Sequence, residues 1–427
     1  GGRIKVCCRV RPLNCSSPPG KAILPRRVGK DGHKVVVKSS SRPTSATVTA
    51  TRGKNIGNMT EKWGFTFDDV IGESCEQQQV YNNCAAGVVK SVLEGYNGTV
   101  MAYGCTGAGK TFTMLGGRDG TYESRGVCAR AVSHVFREAQ RFKGERMVTV
   151  QLSFLEIYNE QVFDLLALDS SDPSHQQSRP RFSTSANLGW AGGDTNPNPG
   201  MGGRELSLYE RADGSTYVKG LIMHEVATEE EALRTLHAGE TNRSIAEHQL
   251  NHASSSRSHA VFTIHLTIHH NHRGKEGMGP GPEATDSPTL PWAPAQGHSG
   301  PGSRGGFNEG TGGVMTSKLN MVDLAGSERM EESETAGMHQ KETVYINKSL
   351  TFLEQVTIAL ADKKRDHIPY RQSKLTHMLK DSLGGNCHMV MIACIWPQPK
   401  RLTQSLATLK FASRMRCIKN KPTINRQ

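Results

Sequence analysis

The sequence predicts an α/β fold: a central, mostly parallel mixed sheet with helices on both faces. Three observations lead there. Residues 99–103 form a short apolar run that reads as a buried strand, followed by Gly104, Gly107 and Gly109 and then by Lys110 and Thr111, which can open a helix. Upstream, Val80, Cys84, Val88 and Val92 recur every four residues with Tyr81, Ala85 and Val89 beside them, one apolar stripe on a single helix over 78–93. Downstream, an apolar strand over 318–324 ends in the run Asp323-Leu-Ala-Gly326-Ser-Glu328. Helix, turn, strand, glycine-rich loop, helix is the rhythm of a sheet covered on both faces.

The elements follow in order. Residues 4–10 alternate in part and then meet Pro12, so they read as a strand entering the core. Residues 14–60 are basic and rich in Ser, Gly and Thr, with 34–38 as an edge strand, and 65–70 as another short strand. Residues 148–158 form a long strand, 229–246 a helix, and 260–270 a strand with clean alternation. Leu350, Leu353, Val356 and Leu360 mark a helix over 342–362; a shorter helix over 373–383, a strand over 389–396 and a last helix over 402–417 complete the core. Two segments, 169–204 and 271–313, are crowded with Ser, Pro, Gly, Asn and Gln; they lack the apolar content to fold alone and are expected to be disordered insertions. Residues 1–417 thus read as one catalytic core, with 418–427 a basic tail.

The net charge of +12 favours an acidic partner. No apolar run approaches membrane-spanning length, so a membrane partner is not expected. Aromatic residues are 6%, too few to interleave with the basic residues as base-stacking platforms, which argues against a nucleic-acid partner. The ten cysteines are scattered without a CxxC pair, which fits a reduced intracellular compartment. Cys105 stands apart because it lies inside the loop 104–109. The backbone amides there could lower its pKa; the alternative is an inert side chain turned aside.

Gly104, Cys105, Thr106, Gly107, Ala108, Gly109, Lys110, Thr111 and Phe112 make a complete phosphate-binding loop and the first turn after it. Lys110 would reach the outer phosphates, and the Thr111 hydroxyl would hold Mg²⁺. Asp323, at the end of an apolar strand, would support the metal through a water. Gly326 lets the backbone approach a γ-phosphate, and Glu328 is placed to pair with a cation. Residues 254–259 carry three serines (among them Ser255 and Ser256), Arg257, Ser258 and His259 just before a strand. Hydroxyls there can serve the Mg²⁺ shell and an attacking water, and Arg257 can hold Glu328.

These three segments resemble the phosphate loop, switch I and switch II of the kinesin motor family. Arg9, Arg11 and Pro12 resemble the strand end that flanks adenine in that family. Residues 367–376, with His367, Tyr370, Arg371 and Lys374, resemble the segment that meets the microtubule, and 381–386 and 411–414 are further signatures. The matches span residues 4 to 425. The wording of 347–355 and 364–369 is most similar to the kinesin-9 group of ciliary and flagellar motors. Two departures stand out: Cys105 occupies a position where the family carries Gln, and the segment from Asn251 to Arg257 is one residue longer than the common spacing. Ser256 is taken as the metal-facing serine because it directly precedes Arg257.

The resemblance implies a microtubule-stimulated ATPase with ATP and Mg²⁺ as cofactors, working in the cytoplasm on the cytoskeleton, with the cilium or flagellum as a further expectation. Lys348, Lys363, Lys364 and Arg365 would join the microtubule contacts. Residues 418–427 resemble a neck linker in which Ile418 docks in an apolar pocket and Asn425 latches the docked strand, biasing movement toward the plus end. Pro422 lacks an N–H and should weaken docking locally. The chain reads as a motor fragment, and a stalk beyond it could pair two motors. ATP is favoured over GTP because the arginine and proline strand end is present while Asn347-Lys-Ser-Leu350 lacks the Asp of a guanine-reading motif. The rival readings are a motor-like ATPase that grips or depolymerises microtubules without stepping and, more distantly, a nucleic-acid-dependent ATPase.

Overall fold

The computed structural model describes residues 2–12, 23–27, 33–38, 62–117, 119–142, 144–167, 206–212, 214–249, 257–270, 313–328 and 338–426. The expectations for 169–204, for 271–312 and for Ser255 and Ser256 fall outside them.

In chain order, β1 (Lys5–Val10) enters the core. β2 (Ile23–Arg27), β3 (His33–Lys38) and β4 (Lys62–Phe67) form a small antiparallel sheet with β3 in the middle. The strand expected at the edge is therefore the central one, because partners form on both its sides. The single strand expected over 65–70 is two: β4 belongs to the small sheet, whereas β5 (Asp69–Ile71) joins the edge of the main one. Then come α1 (Gln77–Cys84), α2 (Ala86–Leu93), β6 (Gly98–Tyr103), α3 (Lys110–Met114), α4 (Val127–Arg141), β7 (Arg146–Tyr158) and β8 (Gln161–Asp164). They are followed by β9 (Ser207–Glu210), β10 (Thr216–Lys219), β11 (His224–Val226), α5 (Glu229–Gln249), β12 (His259–His270) and β13 (Val314–Asp323). The last elements are α6 (Met338–Ala361), α7 (Lys374–Met378), β14 (His388–Ile395) and α8 (Leu402–Met415).

The main sheet runs β11-β7-β12-β13-β6-β14-β1-β5, with β8 paired to β7. Its half around β6 is parallel: β13, β6, β14, β1 and β5 all run one way. The other half is antiparallel, with β12 paired to both β13 and β7. All six residues of β6 are buried, as a parallel strand covered on both faces requires.

Alternation along the strands feeds two cores. On one face Val100 and Ala102 of β6 meet Val88 and Val92 of α2, Val132 and Val135 of α4, and Leu236 of α5. On the other, Met101 and Tyr103 meet Leu353 and Val356 of α6, Leu375 of α7, and Leu409 and Phe411 of α8. Helices on both faces are thus set by the period-2 alternation of β6 itself.

The single helix expected over 78–93 is broken at Ala85, whose φ of −113° lies between α1 and α2. The stripe survives the break, with Val80, Cys84, Val88 and Val92 all buried. The helix expected over 373–383 closes after five residues, α7. Ser373 starts it with a capping box to Thr376.

Candidate active site

The loop between β6 and α3 lies at the carboxyl end of the parallel strands, where such sheets place ligands. Gly107 has φ +74°, and a Cβ there would lie 2.9 Å from the Trp396 ring. Glycine is required by both the backbone and the neighbour. Lys110 is buried, and its Nζ donates to the Cys105 carbonyl at 3.1 Å, so the ammonium is folded over the loop. Cys105 is buried too, and burial, reinforced by Glu328, pushes its thiol up to about 11. The shift runs opposite to the lowering expected from the loop amides, because desolvation outweighs the nearby cations.

Asp323, at the end of β13, accepts from the Thr111 hydroxyl at 2.8 Å. The same oxygen accepts from Arg243 Nη1 at 2.9 Å. Its other oxygen, Oδ1, is buried without a hydrogen-bond partner among the described residues. A hard divalent cation reached through water suits such an oxygen, so Thr111 and Asp323 fit Mg²⁺.

Arg243 was not among the sequence candidates. It sits on α5 and is buried, 3.5 Å from Glu156 and within 3.4 Å of the Ser258 carbonyl and hydroxyl. Ser258 in turn donates to Glu156. A buried guanidinium survives only with such partners, because removing one would strand the others. The network ties the start of β12, directly after Arg257, to the end of β13. His259 adds a second tie: its Nδ1 accepts from the Ala325 N–H at 3.0 Å, and its Nε2 lies 2.8 Å from the Ser349 hydroxyl on α6. Burial, with Arg243 and Lys110 nearby, lowers its pKa to about 3. The ring is therefore neutral, with its proton on Nε2 toward Ser349.

Gly326 has no room for a side chain: a Cβ would meet the Glu328 carboxylate at 2.6 Å and crowd the Thr106 hydroxyl more closely still. Glu328 itself accepts from the Thr106 N–H at 2.7 Å and from the Thr106 hydroxyl. Ser327 N–H donates to the Gly104 carbonyl at 3.1 Å. The segment 326–328 is thus laid along the phosphate loop. Each carboxylate oxygen of Glu328 accepts from Thr106, and among the described residues Glu328 bonds to Thr106 in place of the clasp expected with Arg257.

The three residues expected to flank a base separate. Arg9 is buried and donates to Gln77 Oε1 at 2.8 Å and Thr113 Oγ1 at 2.7 Å. It braces α3 from beneath, its guanidinium carbon 5.4 Å from the centre of the Phe112 ring. Arg11 donates to the Gly107 carbonyl and stacks on Trp396 at 4.1 Å. Pro12 and Phe112 are exposed.

Lys348, Lys363, Lys364, Arg365 and His367 are exposed on α6 and the turn after it. Arg371 is exposed but bound to Glu210 of β9 at 2.7 Å, where Lys380 also pairs. Lys374 is half-buried, its N–H on Glu160 at 2.8 Å. Tyr370 turns inward: its hydroxyl donates to the Leu383 carbonyl, and burial raises its pKa to about 12. At the C-terminal end Ile418 is buried, and Ile4 N–H donates to its carbonyl at 3.0 Å. Asn425 N–H donates to Gly95 O at 3.0 Å, and its amide reaches Thr316 O and Asn97 Oδ1, each at 3.1 Å.

The kinesin motor domain family model matches residues 22–418. The chain belongs to the kinesin motor family. It is 40% identical over 370 residues to human kinesin-like protein KIF9, covering 87% of this chain and 38% of that protein. To kinesin-like protein KLP1 of Chlamydomonas reinhardtii it is 38% identical over 423 residues, 99% of this chain and 43% of that one. These two relatives support the kinesin-9-like assignment. The chain thus spans about four-tenths of the length of these two relatives. A solved structure described as that of a fast kinesin superposes with a TM-score of 0.71 at 29% identity, covering 100% of this chain and 94% of that one. The kinesin fold expected from the sequence is the fold observed.

Proposed function

We propose that this domain is a microtubule-stimulated ATPase that converts ATP hydrolysis into plus-end-directed movement, with the ciliary or flagellar axoneme as its place of work. The observation that carries the reading is the seam between the two loops: Glu328 on Thr106, beside Lys110 and the Thr111–Asp323 pair. Phosphoryl transfer needs positioning and charge neutralisation more than a strong base. Lys110 supplies a cation to the outer phosphates, and the Gly326 N–H is free of any side chain that would keep it from a γ-phosphate. Thr111 and Ser256, with Asp323 behind them, would hold Mg²⁺, which offsets phosphate charge when bound. Release of Thr106 would let Glu328 close on Arg257, and that exchange is the two-state element the reading assigns to the switches. Docking of 418–425 along Gly95, Asn97 and Thr316 is the step assigned to force, and it favours stepping over end depolymerisation.

The deciding measurement is ATP turnover with and without microtubules, with nucleic acid as a control, alongside gliding on polarity-marked filaments. Microtubule stimulation and plus-end gliding are expected. Stimulation by nucleic acid alone, or filament shortening without gliding, would replace this reading by one of its rivals. Arg257→Ala and Glu328→Ala should each bind nucleotide yet hydrolyse it about a hundredfold more slowly, the usual scale for losing a group that acts on the transition state. Normal turnover in both would remove the assignment.

A further inference from the structure

Thr106 and Gly107 form the outer turn of the phosphate loop, and each backbone carbonyl there has a side-chain donor. The Trp396 indole Nε1–H donates to the Thr106 carbonyl at 3.3 Å. Arg11 donates to the Gly107 carbonyl, and its guanidinium lies over the Trp396 ring at 4.1 Å. The ring edge also abuts Gly107 itself, where a Cβ would come within 2.9 Å. Trp396 follows β14, and its own N–H and carbonyl are held by the Ser405 hydroxyl of α8 at 3.2 and 2.9 Å. The indole is therefore anchored to the rigid sheet and helix, not to a switch. On the opposite side of the same residue, the Thr106 N–H and hydroxyl are engaged by Glu328.

We infer that Trp396 is a positioning residue for the nucleotide: it holds the 106–107 turn in its phosphate-binding shape whenever Glu328 lets go of Thr106. The inference rests on the ATPase reading above, in which Glu328 exchanges Thr106 for Arg257. During that interval the turn loses its two bonds to Glu328 and keeps the fixed ones from Trp396 and Arg11. An aromatic plane carrying a guanidinium is well suited to this, since the stack fixes the Arg11 fork while leaving its N–H groups directed at a carbonyl. The role differs from that of Lys110 or Glu328. Trp396 governs how tightly a nucleoside di- or triphosphate is held and leaves the rate of phosphoryl transfer, once the nucleotide is bound, untouched.

Trp396→Phe keeps a stacking ring and removes the N–H; Trp396→Ala removes both. With wild type alongside, three quantities are read: KM for ATP, kcat at saturating ATP, and the dissociation rate of a fluorescent adenosine diphosphate analogue. Losing one net hydrogen bond corresponds to about fivefold in an equilibrium. Trp396→Phe should raise KM and speed diphosphate release by about that factor, on the net hydrogen-bond scale. Trp396→Ala should do so by more, and kcat should stay within about twofold in both, since uniform binding alone is lost. Unchanged KM and release in both variants, or a lower melting temperature with unchanged KM, would overturn the inference. So would a fall in kcat with KM unchanged. A wild-type protein that neither binds nor hydrolyses ATP would instead sink the ATPase reading on which it stands.

Discussion

Single residues in this motor are constrained by contact more than by chemistry. Gly326 is the sharpest case, because any Cβ collides with Glu328 and Thr106. Gly326→Ala should leave nucleotide binding measurable while reducing turnover at least tenfold, on the scale of losing one transition-state donor; a stopped-flow binding signal beside steady-state ATPase checks both halves. Buried histidines make a second case. His259 is held near 3 and His265 near 4, both chiefly by burial. In the unfolded chain each titrates near its ordinary 6.5, so between the folded and unfolded values the unfolded state binds more protons. Stability is then complete above about 6.5 and falls as the pH drops toward the folded values. Melting temperature should decline through that window, and less steeply in His265→Gln than in wild type, which far-UV circular dichroism against pH would reveal. Glu328 stood among the candidates from its motif, and His259 lay in the segment 254–259 without a role of its own. Arg243 and Trp396 were not readable as site residues, since nothing in the spacing of a lone arginine on a helix or an aromatic after a strand tells that it faces a loop distant in sequence.

At the scale of elements, periodicity located most of the core and missed where elements stop. The 78–93 stripe was legible, but a break at Ala85 leaves the apolar spacing intact and so leaves no trace in it. α4 went unread although Val127, Ala131 and Val135 are buried. Its Arg130 is buried as well, satisfied by the Arg125, Tyr122 and Glu123 carbonyls, and a charge on the inner face blurs the stripe. In the small sheet, β4 pairs with β3 across the polar stretch 39–61, and pairing over that separation has no local signal. The C-terminal segment yields a direct expectation. Asn425→Ala removes side-chain bonds to Asn97, Thr316 and Asn386. Gliding velocity should fall several-fold while microtubule-stimulated ATPase changes little, because the nucleotide loop is untouched; equal loss of both would argue that the segment belongs to the catalytic machinery.

At the scale of the whole molecule, α6 joins the site to the residues proposed to face the microtubule: mid-helix it carries Ser349 against His259 and Lys348 exposed beside it. The turn 362–369 continues that face with Lys363, Lys364 and Arg365. Attraction from such exposed cations is long-ranged and screened within about 8 Å at physiological salt. Replacing all three by Ala should weaken microtubule binding and flatten its dependence on salt, as cosedimentation over a potassium chloride series would report. An unchanged slope would move the ionic contact elsewhere. Membership of the kinesin family and a mixed sheet with helices on both faces were legible from the sequence; where the parallel half gives way to the antiparallel one was not, since strand direction is fixed by connections and not by composition.

The docked C-terminal segment is fastened mainly by uncharged amides. Asn420 bonds to Gly384, Ser382 and Cys387, and Asn386 bonds to Thr423 and Asn425. Neutral dipoles at hydrogen-bond range are indifferent to dissolved ions, while the grip proposed for the exposed cations on the filament would be ionic. On that reading, added electrolyte should loosen the foot and spare the stroke, so that earlier detachment would shorten each run while leaving the advance per step unchanged.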